Sequence, residues 1–311
     1  MKKEMSSLKN KHSQNNKKAI VYIMVWLLFT ASGFVLSLYF NWWIGQIMLG
    51  VGFFQAFILL HETGHYSLFK SKKINKLFGH LFGFISFIPF ISWVDMHNLH
   101  HKWTGWRDKD PTTVGTVNPK HGFVLKSVVN ISWFLFLPLF TIGYRIDNYW
   151  NLRKIKTFAP KTNRKRVLFN LLIIILIWTL LIILFTDFYV SYVLPAFLIG
   201  LMMSDLIILS QHSHIDIPVS NGKDVKPLKH AYQVKYSRSI RVGSVFENWV
   251  LFNFNMHEKH HAYPGVPSYY LPEMQCEEKN TRNFWTFICK AKLLSGENFV
   301  FSTTKKTNKM L

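Results

Sequence analysis

Acidic side chains are scarce: the 311 residues include 16 Asp and Glu against 37 Lys and Arg, for a formal net charge of +21. In a soluble chain that balance points to nucleic acid. Here the placement of the basic residues decides otherwise. Cysteine is scarcer still. Cys276 and Cys289 match no metal or redox spacing, which excludes a disulfide framework and leaves two reduced thiols. The chain also lacks a Gly-rich dinucleotide fingerprint, a cysteine cluster and a fused haem domain, so any electrons it uses come from a separate donor. The start is basic (Lys2, Lys3, Lys9, Lys11, Lys17, Lys18) and precedes an apolar run. That run is too long for a signal-peptide core and has no clear small-residue cleavage site, so it reads as a retained anchor.

Charge is missing altogether from residues 19–60. As one helix this stretch would extend about 63 Å, roughly twice the hydrocarbon thickness of a bilayer. It therefore reads as two spans, about 19–41 and 44–60, broken at Asn41-Trp42-Trp43, where Trp favours the interface. Residues 167–211 repeat the arrangement: a span over 167–186, a turn at Asp187 and a return over 188–211, interrupted by Asp205 alone.

Two shorter apolar stretches, 77–93 with Pro89 and 127–144 with Pro138, are expected to be interfacial or re-entrant rather than spanning. With four spans, segments 1–18, 61–166 and 212–311 share one side and hold all 37 basic residues. Basic residues favour the cytoplasmic side, so this topology explains the charge without nucleic acid. The expected fold is an all-α integral membrane protein. Four transmembrane helices form two hairpins, with interfacial helices and a cytosolic histidine-rich cap. One membrane domain covers 19–300, between basic tails at 1–18 and 301–311.

Eight of the fourteen histidines fall in three boxes: His61 and His65; His97, His100 and His101; His257, His260 and His261. On a helix, with about 100° of rotation per residue, His100 and His101 lie roughly 60° and 40° to either side of His97. Imidazole suits Zn, Cu, Fe and Ni. Eight ligands are too many for one ion, and two metals sharing them is the economical count, with an open position on each.

This pattern resembles the membrane fatty acid desaturase/hydroxylase superfamily, whose boxes HxxxH, HxxHH and HxxHH are matched by every histidine. The resemblance runs from about residue 44 to residue 272. It extends to the flanks: Thr104-Gly105-Trp106 with Asp108 to Thr112, Asn255-Met256, and Tyr263-Pro264-Gly265-Val266-Pro267 with Leu271-Pro272 resemble bacterial acyl-lipid desaturases. Glu62 stands where many members carry Asp.

The resemblance implies two non-haem Fe ions on a cytosolic cap, O2 as oxidant and an acyl lipid as substrate. It implies a bacterial cytoplasmic membrane, with both termini and the active site cytosolic. It adds His212, and after it His214, as candidate ligands beyond the boxes. Asp205, costly within a span and on the His212 face, is expected to orient a ligand histidine. Glu62, Asp95, Asp108 and Glu258 are the other candidates for that task. A basic face would steer an acidic ferredoxin, flavodoxin or cytochrome.

An unactivated methylene has no acidic proton and no leaving group, so an oxidising metal must carry the hard step. Fatty acid or carotenoid hydroxylases and ketolases begin from the same oxidant and are the near alternatives. The first box also reads as HExxH, the zinc-protease motif with Glu62 as general base. That reading leaves six histidines of the other boxes unemployed and lacks a third ligand motif. A metal transporter or sensor would place histidines within the spans, and these cluster on one side.

Overall fold

A computed structural model describes residues 12–117, 122–309 and 311. Lys2, Lys3, Lys9 and Lys11 of the basic start, and His121, lie outside the described residues. Among the described residues the fold is helices joined by loops, with one short pair of strands.

Helix α1 (Asn16–Tyr39) begins where the Asn15 side chain accepts from the Lys17 and Lys18 N–H groups. Asn41 caps α2 (Trp42–Gly64) in the same way, so the hairpin turns one residue before the two tryptophans. Small residues let the helices meet. A Cβ at Gly45 would collide with Ser37 of α1, and one at Gly200 would come within 2.8 Å of the Phe53 Cβ and 2.9 Å of the Gly50 carbonyl oxygen. Close approach through small residues is how apolar helices associate without a hydrophobic drive between them.

Helix α3 (Lys72–Ile85) and α4 (Phe90–Trp103) form one apolar stretch bent by 101° between them. Pro89 caps α4, and Phe87 sits at φ 54° in the bend. The second proline stretch breaks likewise: α5 (Phe123–Phe134) stops before Pro138, and α6 (Leu139–Arg145) follows it. A short α7 (Leu152–Phe158) leads to the second hairpin, α8 (Arg164–Leu184) and α9 (Thr186–His212).

Among the described residues, four helices, α1, α2, α8 and α9, are each long and apolar enough to cross a membrane. Each lies within a few residues of its expected span. The structure carries α2 on to Gly64, four residues past the expected end, so the first histidine box continues the span. Of the four, α2 is the most enclosed, packed by α1, α3 and α9.

The remaining chain folds over the histidine-bearing ends of α2 and α9. It contains α10 (His230–Gln233), α11 (Ser244–Trp249), α12 (His257–Ala262), α13 (Phe284–Lys292), α14 (Gly296–Phe301) and α15 (Thr304–Thr307). Strands β1 (Ile240–Arg241) and β2 (Arg282–Asn283) pair in parallel. Buried polar groups fasten this cap to the spans. Gln55 of α2 donates to the Trp249 carbonyl at 2.9 Å, Gln211 of α9 to Phe254 at 3.0 Å, and Arg238 to Ser210 at 2.7 Å.

Candidate metal centre

Each histidine box sits on helix or at a helix end, and spacing decides where each ring goes. His61 and His65, four apart at the end of α2, lie on one face. In α4, His97 and His101 are also four apart and converge, whereas His100 leaves at about 100° from its neighbour. In α12, His257 and His261 pair, and His260 diverges.

The structure therefore sorts the rings into two groups. His61, His65, His97, His101 and His260 form one; His100, His212, His257 and His261 form the other. Within each group one nitrogen from every ring lies within 4.8 Å of all the rest. Each HxxHH box thus gives two rings to one group and the third to its neighbour. Among the described residues, no carboxylate enters either group.

The close nitrogens are Nε2 atoms. His212, His257 and His261 form a triangle of 2.7, 3.1 and 3.3 Å. His97 lies 2.9 Å from His65 and 3.1 Å from His101, which lies 3.0 Å from His260. Two metal–nitrogen bonds of about 2.1 Å at right angles would put their nitrogens about 3 Å apart. Buried His61 Nε2 has no hydrogen-bond partner. The donor set fits transition-metal ions.

Oxygen acceptors hold several rings from behind. His61 Nδ1 meets Glu62 at 3.2 Å, and His100 Nδ1 meets Asp110 at 2.7 Å. His212 Nδ1 meets the Tyr236 carbonyl at 3.1 Å, and His261 Nδ1 meets the Gln233 amide oxygen at 3.2 Å. Such oxygens accept, so Nδ1 carries the proton and Nε2 keeps its lone pair toward the group. In α12, burial first and neighbouring imidazoles second push His257, His260 and His261 well below the usual pKa, so the rings stay neutral. Aromatic rings pack on two of the histidines: Trp93 stacks on His97 at 4.3 Å, and Phe254 edges His61 at 5.0 Å.

Of the other candidates from the sequence, His212 joins the second group, as the last residue of α9. His214 does not reach either group; its Nε2 meets the Thr307 hydroxyl at 2.7 Å. Glu62 touches His61 while accepting from the Ser67 hydroxyl and the Ser268 N–H. Asp205 has a different partner from the expected histidine: it accepts the Thr141 N–H at 2.5 Å. Asp95 accepts from Thr162 and Asp108 from Ser220. Glu258 accepts from Ser239, Asn280 and Thr281, which ties α12 to the cap. Sequence reading overlooked Asp110 and Gln233. Asp110 lies within the flank after the second box, two residues beyond the Asp108 that was singled out; Gln233 carries no sequence signal.

A cavity of about 520 Å³ reaches the second group at His212. Its lining is mostly apolar, with Val129, Leu139, Phe140, Ile208 and Leu209 among the walls and Arg107 and Lys154 also present.

A family model described as fatty acid desaturase matches residues 37–288. A fatty acid desaturase of Bacillus subtilis (strain 168) is 24% identical over 259 residues, covering 80% of this chain and 71% of the relative. An sn-1 acyl-lipid omega-3 desaturase (ferredoxin) of Nostoc sp. (strain 36) is 23% identical over 269 residues, covering 83% and 74%. A protein of the same name from Synechocystis sp. is 24% identical over 264 residues, covering 78% and 69%. Since the family match takes in all three histidine boxes and most of the chain, this protein belongs to the fatty acid desaturase family.

Proposed function

We propose that this membrane protein is an acyl-lipid desaturase that uses O2 and two Fe ions. The observation that carries the reading is the pair of all-histidine groups, one of which meets a mostly apolar cavity at His212. In balance, two hydrogens leave adjacent methylenes, one O2 is reduced to two waters, and two electrons and two protons are taken up. When bound, the iron pair supplies the oxidising power for that exchange.

The protein's own part is binding, orientation and exclusion of water. His61, His65, His97, His101 and His260 hold one ion, and His100, His212, His257 and His261 the other. Glu62, Asp110, Gln233 and the Tyr236 carbonyl fix ring directions. Trp93 and Phe254 pack on His97 and His61 and shield those two rings from water. The cavity beside His212 takes the acyl chain, with its apolar walls against methylenes.

Glu62 has its oxygens engaged by His61, Ser67 and Ser268, which speaks against a protease's general base. Electrons come from an acidic ferredoxin, flavodoxin or cytochrome drawn to the basic face; two relatives carry ferredoxin in their names. We place the protein in a bacterial cytoplasmic membrane with the histidine cap cytosolic. A cysteine put at Lys109 should then react only with reagents that reach the cytosol; labelling from outside would reverse the orientation. The functional test is expression in a host that makes no unsaturated acyl chains. New double bonds in the lipids, lost in His100→Ala, are the expected result. Hydroxylated chains in their place would move the assignment to the hydroxylases.

A further inference from the structure

The cavity at the metal centre has a neighbour. A second cavity, of about 570 Å³, is lined by Ile142, Arg145, Trp178, Thr179, Leu198 and Leu201 among others. Both cavities open on one face of α9. Leu194, Leu198 and Leu201 line the second, and Asp205, Ile208 and His212 line the first. Steps of three and four residues return to the same side of a helix. Along α9 the two are separated only by the turn from Leu201 to Asp205, about 6 Å of rise.

Helix α6 stands between them. Thr141 and Gly143 border the first cavity; Ile142 and Arg145 border the second. A helix this short has little stability of its own, and a buried charged side chain ties each end. The Asp205 carboxylate accepts the Thr141 N–H at 2.5 Å, and the Arg145 guanidinium donates to the Ser86 carbonyl at 2.7 Å. Both side chains are more than nine-tenths buried. Ionisable groups at this depth are costly to keep, which argues for a task. The bonds they make fix α6.

We propose that α6 is the stop that ends the acyl cavity, and that Asp205 and Arg145 are positioning residues that hold it and so select acyl chains by their length beyond the reacting carbons. The proposal rests on the desaturase reading. A chain passing His212 runs along the α9 face until its methyl end meets α6. The second cavity is the room a longer chain takes when the stop is released. Each buried methylene favours binding, so the depth of the slot discriminates among lengths.

The test uses the full chain in phosphatidylglycerol nanodiscs. The probe is phosphatidylglycerol with a diazirine at the methyl end of an acyl chain, photolysed and mapped by peptide mass spectrometry. This readout does not depend on turnover. The native protein should be labelled at Thr141, Asp205 or Ile208. Asp205→Ala should move the label to Arg145 and Leu201, the buried walls of the second cavity, and shift products toward longer chains. Asp205→Asn, whose amide oxygen still accepts from Thr141, should keep the native pattern. Gly143 borders the first cavity and a Cβ there meets no atom within 4 Å, so Gly143→Leu should narrow that cavity and shift products toward shorter chains, even should Asp205→Ala fail to fold. Native label at Arg145 and Leu201, or an unchanged length profile in both Asp205→Ala and Gly143→Leu, overturns the stop. Label at α6 from a protein that makes no unsaturated product supports the stop and contradicts the desaturase reading.

Discussion

Asp110 shows how much of the site depends on single atoms behind the ligands. Its carboxylate lies 2.7 Å from His100 Nδ1 and also accepts from the Thr112 N–H and hydroxyl. Asp110→Asn keeps the shape and removes the charge that makes the ring a better donor. We expect metal affinity or activity to fall about 10–100-fold, measured by iron retention against a chelator; unchanged retention would remove Asp110 from the site. Acid should act on the same atoms. In the metal-free protein His257, His260 and His261 are folded as neutral rings, held below their usual pKa mainly by burial. Unfolded, they titrate near pH 6.5. Below that pH the unfolded chain binds more protons, so stability is complete above about 6.5 and is lost as pH falls. The melting temperature of metal-free protein should drop between about pH 7.5 and 5.5, and bound metal should raise it across that range without flattening the slope, because the unfolded chain still takes up the protons. A flat profile would contradict the buried, neutral assignment. At this scale the sequence displayed the box histidines through their spacing. It hid Gln233 and the true partner of Asp205, because contacts between residues far apart in the chain leave no local pattern.

At the scale of elements, the apolar runs and their prolines were legible. Absence of charge located four spans, and Pro89 and Pro138 marked where the two shorter stretches break. The bend of 101° between α3 and α4 was not legible, because it depends on Phe87 at positive φ and on its ring stacking with Trp150. Nor did the sequence say which helix is central. That follows from Gly50 and Gly200, where α2 and α9 touch backbone to side chain. Gly200→Val should force these helices apart at a cost of about 1–3 kcal/mol. The expected readout is a lower melting temperature in detergent with the helical circular dichroism retained; a native melting temperature would show that the contact yields freely.

Across the whole molecule, two hairpins carry one histidine-bearing end each, and the cap closes over both. Boxes far apart in sequence become two groups only because α2, α4, α9 and α12 meet there. The separation of the boxes suggested two metals by ligand count alone. The division of each HxxHH box between the groups needed three dimensions, since it depends on how α4 and α12 face one another. We propose that nine imidazoles hold a pair of irons. The most direct test is metal analysis of purified, active protein, native and His260→Ala. Two irons per chain, with loss of iron and activity together in the variant, is the predicted result; full activity in iron-free protein, or one zinc per chain, would contradict it.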